Sequence, residues 1–181
     1  YVNMLGNEAG RMIFDGDMLL YRNGKLVQRN TRFSLEEVNV ICEELDFGEK
    51  NLIPRVKLKS DPVDPATEFS QALSLGLFDY LRKSRTQGFV LSLSGGADSS
   101  ACAVLVAEMV RRGIDELGPT NFAARSGIRA LQNLDLDEQD PDVYKKAVGA
   151  LFHTAYQGTK NSREDTLRSA RELANSLGAA F

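Results

Sequence analysis

The sequence predicts an α/β fold: a parallel sheet with helices on both faces, preceded by a small β-rich segment. Three observations carry this. At Thr67 the apolar residues change from short, glycine-bounded runs to helical spacing. Beyond that helix the chain reads strand, helix, strand, helix, strand, the order that builds a parallel sheet. Upstream, Asn23-Gly24 separates two short apolar runs, and a tight hairpin needs residues that tolerate φ > 0 at both central positions.

Taken in order, "MIFDG", "MLLYRNGKLVQR" and "RFSLEEVNVI" within residues 1–45 read as strands of antiparallel sheet. Residues 46–66 are charged and carry Pro54, Pro62 and Pro65, the composition of an extended linker. Phe69, Leu73, Leu77, Phe78 and Leu81 then mark a helix, with Asp64 or Thr67 placed to cap it. "GFVLSLS" is a short apolar strand, and a helix begins at Ser99. Residues 113–142 are weakly patterned and read as an insertion with some helix. A second strand is expected near Leu151–Tyr156. Arg163–Leu177 is amphipathic through Leu167, Ala170, Leu173, Ala174 and Leu177, with Gly178 as its stop.

Composition narrows the class. The 181 residues are 43% hydrophobic and 26% charged with net charge -3, the balance of a soluble globular chain of one or two domains. No basic stripe is present to neutralise phosphates, so no nucleic-acid partner is expected. No apolar run approaches the ~20 residues that span a bilayer. The N-terminus lacks a signal peptide's basic and apolar regions, so a cytoplasmic setting is expected. Cys42 and Cys102 have no disulfide-framework or metal-ligand spacing and are expected to be packing thiols. His153, the one histidine, lies in an apolar stretch and is expected in the core. Glu8, Arg11 and Asp15 are candidates for an ion-pair cluster. Tyr1 at the start and the abrupt end at "GAAF" read as the edges of an internal fragment.

The stretch that carries chemistry is Ser94-Gly95-Gly96-Ala97-Asp98-Ser99-Ser100, directly between an apolar strand and an apolar helix. No G-x-x-x-x-G-K-[ST] and no G-x-G-x-x-G after a strand occurs, which excludes two familiar phosphate loops. The remaining pattern suits a pyrophosphate. Two glycines let backbone N–H groups approach phosphate oxygens, and the helix start adds free donors and a positive dipole end. Ser94, Ser99 and Ser100 add hydroxyls. Asp98 would repel phosphate unless a cation intervenes, and Mg²⁺ bridges carboxylate and phosphate oxygens. The plainer alternative is an ordinary capped helix, since aspartate and serine are common N-caps.

SGGADSS resembles the PP-loop of the ATP pyrophosphatases, the adenine nucleotide alpha hydrolase-like fold. "YLRKSRTQGFVLSLSGGADSS" and "TAYQGTKNSREDTLRSARELANSLGA" resemble the synthetase domain of glutamine-dependent NAD synthetases. "RALQNLDLDEQDPDVYKKAVGALFHTAY" is similar to an insertion in the longer form of that family. Residues 1–41 resemble the final strands of its nitrilase-like glutaminase domain.

The resemblance implies three segments: 1–45 as the end of a glutaminase domain, 46–66 as linker, and 67–181 as the start of a synthetase domain. It implies ATP and Mg²⁺ as cofactors, and deamido-NAD⁺ with glutamine or ammonia as substrates. The reaction is amidation through an adenylated carboxylate, with AMP and pyrophosphate released. Homo-oligomerisation of the full-length enzyme is also implied. Ser92, Leu93, Ser94, Gly95, Gly96, Ala97, Asp98, Ser99 and Ser100 are then the nucleotide-binding candidates, with Asp98 on the metal.

The second matching stretch follows the second strand, at the end of a parallel sheet where ligands bind. Lys160 and Ser162 are candidates there, with Thr159 and Asn161 shaping the turn; the alternative is that "GTKNSRED" only caps the next helix. No residue is assigned as a covalent nucleophile, because the family's Glu, Lys and Cys triad lies upstream and Cys42 falls past the matching strands. Two alternatives stand beside this reading: another PP-loop ligase such as a GMP synthetase, and a catalytically inactive nucleotide-binding fragment.

Overall fold

The computed structural model describes residues 1–8, 11–44, 64–159 and 163–181. The chain opens with two antiparallel pairs. Strand β1 (Leu5–Glu8) pairs with β2 (Met12–Asp15), and β3 (Leu19–Arg22) with β4 (Lys25–Arg29). Asn23 at φ 49 and Gly24 at φ 75 form the β3–β4 turn, as the Asn-Gly pair requires.

The expected third strand, "RFSLEEVNVI", is absent; residues 32–41 contain no strand. Phe33 sits at φ 53, which breaks the extended conformation. The backbone beyond it bonds to a helix instead of a sheet: Leu35 N–H donates to Glu116 at 2.9 Å. The expected cluster of Glu8, Arg11 and Asp15 does not form among the described residues. Asp15 instead accepts from Asn3 at 2.7 Å and pairs with Arg32 at 3.5 Å.

Helix α1 (Pro65–Ser84) begins where its chemistry dictates: Asp64 accepts from Thr67 N–H at 3.0 Å, and Pro65 occupies the first turn, where no N–H is needed. Its inward face buries Leu75, Phe78 and Leu81, whereas Phe69 is exposed. Strand β5 (Phe89–Ser92) leads into α2 (Ala97–Leu117), which starts two residues before the expected Ser99. Three shorter helices follow: α3 (Pro119–Ser126), α4 (Arg129–Gln132) and α5 (Val143–Leu151). Strand β6 (Phe152–Ala155) and helix α6 (Glu164–Leu177) complete the fold.

Strands β5 and β6 are parallel, with Phe89 opposite Phe152 and Ser92 opposite Ala155. After α6 the chain returns to the free edge of β6. Ala180 bridges His153 in parallel, and Thr154 N–H donates to the Ala180 carbonyl at 2.6 Å. The inward face carries Phe152 and Thr154, both buried; the opposite face carries Val90, 84% exposed, and His153.

The expectation of a core histidine is therefore corrected. Side chains alternate along a strand, and with Phe152 and Thr154 inward, His153 points out. Both cysteines are exposed as well, against the expectation of packing. On α2 the buried face runs through Ala103, Val106, Met109 and Val110, and Cys102 lies off that stripe.

The core gathers around α2, with Phe78 of α1 stacked on Phe122 of α3 at 5.8 Å between ring centroids. The N-terminal segment is fastened to this core at two places. At the first, β1 lies on α1. Gly6, at φ +110, leaves no room for a side chain, since a Cβ there would stand 2.4 Å from Asp79 Oδ2. Asn7 N–H donates to that same carboxylate at 2.8 Å, and Arg82 reaches its other oxygen at 2.6 Å. Asp79 is 2% exposed. Burial works to raise its pKa, but the bonds from Arg82, Asn7 N–H and Lys83 outweigh burial and hold the carboxyl below its ordinary value.

The second fastening is the stretch 32–36, which lies across three helices. Arg32 bonds Glu68 of α1 at 2.8 Å, and Ser34 Oγ and Leu35 N–H donate to Glu116 of α2. Glu36 pairs with Arg125 of α3 at 2.9 Å. Phe33 and Leu35 are buried between these ties. Each such apolar side chain contributes roughly 1.5–3 kcal/mol when fully removed from water.

Candidate functional site

Strand β5 ends by extending its ladder one residue: Leu93, fully buried, donates its N–H to the Ala155 carbonyl at 2.9 Å. Leu93 is thereby scaffold, its side chain in the core and its N–H committed. Ser92, one residue earlier, is exposed. The chain then turns through Ser94 and Gly95 at φ +78 into Gly96, the N-cap of α2 at φ -90. A glycine is required at 95 on two counts. The φ value disfavours any Cβ, and one built there would meet the Thr166 carbonyl oxygen at 2.4 Å.

The serines bind within the turn. Ser94 N–H donates to Ser99 Oγ at 3.2 Å, and Gly96 N–H to Ser94 Oγ at 3.3 Å. Ser99 Oγ donates to the Gly96 carbonyl at 3.2 Å, and Ser100 Oγ and N–H reach the same oxygen at 2.7 and 3.1 Å. Ser99 directs its proton to Gly96, so in the 3.0 Å contact between Ser94 Oγ and Ser99 Oγ the donor is Ser94.

None of these side chains caps α2. The first intrahelical acceptor, Gly96 O, serves Ser100, so the N–H groups of Ala97, Asp98 and Ser99 find no acceptor among the described residues. The plainer alternative, an ordinary side-chain cap, does not describe this helix. Three unbonded donors stand together at the positive end of a 21-residue helix, which is the physical requirement for binding an anion.

Asp98 stands among these donors, exposed, with no hydrogen-bond or ion-pair partner among the described residues. Among the described residues there is also no cluster of three or more His, Cys, Asp or Glu side chains able to cage a metal. A single open carboxylate next to an anion site matches the needs of Mg²⁺, which takes one or two carboxylates and fills its remaining positions with phosphate oxygens and water.

The candidates therefore separate. Ser94 through Ser100 come together as one turn; Ser92 and Leu93 support it from the strand. Lys160 and Ser162, with Asn161, lie outside the described residues, and Thr159 is exposed at the edge of that gap. Two residues inside the second matching stretch were not among the site candidates. Tyr156, immediately after β6, has its hydroxyl 2.7 Å from Thr166 Oγ1 in the first turn of α6. Thr166 is also the residue whose carbonyl abuts Gly95. Neither belongs to the SGGADSS motif, and the contact joins residues ten apart through a loop, so no local pattern announces it.

A sequence profile of the NAD synthase family matches residues 69–180, well over half of the chain. The chain belongs to the NAD synthase family. It is 31% identical to the glutamine-dependent NAD(+) synthetase of Bos taurus over 98% of this chain and 30% of that protein. The synthetase of Arabidopsis thaliana is 27% identical over 99% of this chain and 29% of its own length. Among solved structures, a glutamine-dependent NAD(+) synthetase from Cytophaga hutchinsonii is 48% identical with a TM-score of 0.82. That match covers 100% of this chain and 29% of the other. The chain thus spans less than a third of the length of these relatives. The match to the Cytophaga hutchinsonii structure also bears out the expected α/β fold with its parallel sheet and helices.

Proposed function

We propose that this chain carries the pyrophosphate-binding part of a glutamine-dependent NAD⁺ synthetase. On this reading ATP adenylates the nicotinate carboxylate of deamido-NAD⁺, pyrophosphate leaves, and ammonia drawn from glutamine converts the adenylate to the amide of NAD⁺ with release of AMP. The observation that carries it is the uncapped start of α2, where the N–H groups of Ala97, Asp98 and Ser99 and the Asp98 carboxylate have no partner among the described residues.

The residues divide the work by their chemistry. The three N–H groups donate to the oxygens of the leaving pyrophosphate, where negative charge grows in the transition state, and being fixed in place they need little rearrangement when that charge appears. The Ser94, Ser99 and Ser100 hydroxyls add donors only by turning out of their bonds within the turn, Ser99 most readily. Asp98 would hold Mg²⁺, which when bound neutralises phosphate charge and polarises the leaving group. Lys160 and Ser162, read from the sequence alone, would also contact the nucleotide.

Residues 1–45 are read as the end of a nitrilase-like glutaminase domain, 46–66 as linker and 67–181 as the beginning of the synthetase domain. The start of α1 at Pro65 supports a boundary close to residue 67. Two exposed cysteines that form no disulfide suit a reducing, cytoplasmic setting. No helix among the described residues is long and apolar enough to cross a membrane.

The test is a pyrophosphate-release assay on the full-length protein with ATP and Mg²⁺. Release should depend on deamido-NAD⁺ and be absent with xanthosine monophosphate, the acceptor of a GMP synthetase. The reverse preference, or release with neither, would overturn the reading.

A further inference from the structure

We propose that Tyr156 and Thr166 are positioning residues that hold the Ser94–Ser100 turn in its binding shape. The proposal rests on the reading that this turn binds pyrophosphate, and it adds two residues outside the motif.

The direction of the hydrogen bond between them can be fixed. Thr166 Oγ1 donates its only proton to the Arg163 carbonyl at 2.7 Å. The 2.7 Å contact with Tyr156 is therefore made by the tyrosine O–H donating to the threonine oxygen. That bond ties the residue after β6 to the first turn of α6.

The same threonine touches the turn through its backbone, because its carbonyl occupies the space a Gly95 side chain would need. The other side of the turn is tied as well, by Leu93 N–H donating to the Ala155 carbonyl at 2.9 Å. A closed circuit results. It runs from Leu93 across to Ala155, along the chain to Tyr156, across to Thr166, against Gly95, and back through Ser94. One link in this circuit is a side-chain bond that substitution can remove without touching the backbone. The bonds inside the turn shape it, but none of them sets its position relative to β6 and α6. The Tyr156–Thr166 link does. Charge-stabilising donors act only within a few tenths of an ångström of their best position, so a turn released on one side binds its anion less well.

The experiment uses the full-length protein with Tyr156→Phe, Thr166→Val, Thr166→Ser and the Tyr156→Phe/Thr166→Val pair. Inorganic pyrophosphate with Mg²⁺ is titrated by calorimetry, and ATP kinetics are measured alongside. Tyr156→Phe and Thr166→Val should each weaken pyrophosphate binding and lower kcat/KM for ATP about three- to tenfold. Thr166→Ser keeps the acceptor and should behave as wild type. The double variant should be no worse than Thr166→Val alone, which already removes the shared bond together with the threonine's own bond to the Arg163 carbonyl. Wild-type affinity in both single variants, whatever their melting temperatures, would overturn the proposal; so would additive losses in the pair. Should the wild-type protein itself fail to bind pyrophosphate, the functional reading falls, and ligand-free amide exchange across residues 93–100 decides the positioning role. Faster exchange in Tyr156→Phe and Thr166→Val but not in Thr166→Ser supports it, and unchanged exchange refutes it.

Discussion

The two ends of helix α2 are built on opposite principles. At its start, three N–H groups and an exposed carboxylate have no partner among the described residues. Toward its end, Arg112 donates to the carbonyls of Gln71 and Phe33 at 3.0 and 3.4 Å, and Glu116 accepts from both Ser34 and Leu35. Glu116 sits in the last turn, where the helix dipole disfavours an anion, and its two hydrogen bonds offset that. Polar groups matched to distant parts of the chain report architecture; exposed donors left unmatched and aligned suit a ligand. The same helix thus serves as fastening at one end and, on the proposed reading, as binding surface at the other.

This contrast predicts that substitutions at the start remove activity without stability, and substitutions at the end do the reverse. The largest effect is expected for Asp98→Asn in the full-length protein. Deamido-NAD⁺-dependent pyrophosphate release should fall at least about 100-fold if Asp98 holds Mg²⁺ as proposed. The unfolding midpoint should barely move, as Asp98 has no described partner to lose. A stability drop matching the activity loss would break the comparison.

Gly95→Ala comes next. The side chain meets the Thr166 carbonyl at a backbone angle that disfavours it, so the turn must shift and pyrophosphate release should fall by roughly 10- to 100-fold; as the exception at this end, stability should fall too, by about 1–3 kcal/mol of strain. Glu116→Ala tests the other end. It leaves the buried Leu35 N–H without an acceptor, a loss of about 1–3 kcal/mol that should appear as faster amide exchange at Leu35, with pyrophosphate affinity retained. Loss of that affinity would show that the two ends are not independent.

The smallest effect concerns acid. Asp79 titrates below its ordinary range when folded, so it contributes stability above the unfolded-state pKa of about 3.9. That contribution is lost as pH falls through the lowered folded value. Urea unfolding at pH 7 and at pH 3 should show Asp79→Asn with less acid sensitivity than wild type, and equal sensitivity would remove Asp79 from the account.

Legibility in the sequence follows the same division. Features set by neighbours along the chain were readable: the Asn23-Gly24 turn, the Asp64 cap, the Gly178 stop and the SGGADSS turn itself. Features set by distant partners were not. The apolar alternation of Phe33 and Leu35 imitates a strand, but both side chains are buried against helices and the backbone between them is bonded by a glutamate 81 residues away. His153 looked internal from its apolar neighbours, and only the pairing of β5 with β6 shows which face those neighbours take. Tyr156 and Thr166 meet through a loop that no periodicity spans.

The Gly96 carbonyl carries one last consequence. An amide oxygen has two lone pairs, and three donors converge on this one, from Ser99 Oγ, Ser100 Oγ and Ser100 N–H. The longest of the three, from Ser99 at 3.2 Å, is held most loosely. Its hydroxyl is a rotor parked on an overcrowded seat, and swinging it toward an arriving oxygen gives up less than one full hydrogen bond. The turn thus keeps its hydroxyls ordered when empty and lets one go cheaply when filled.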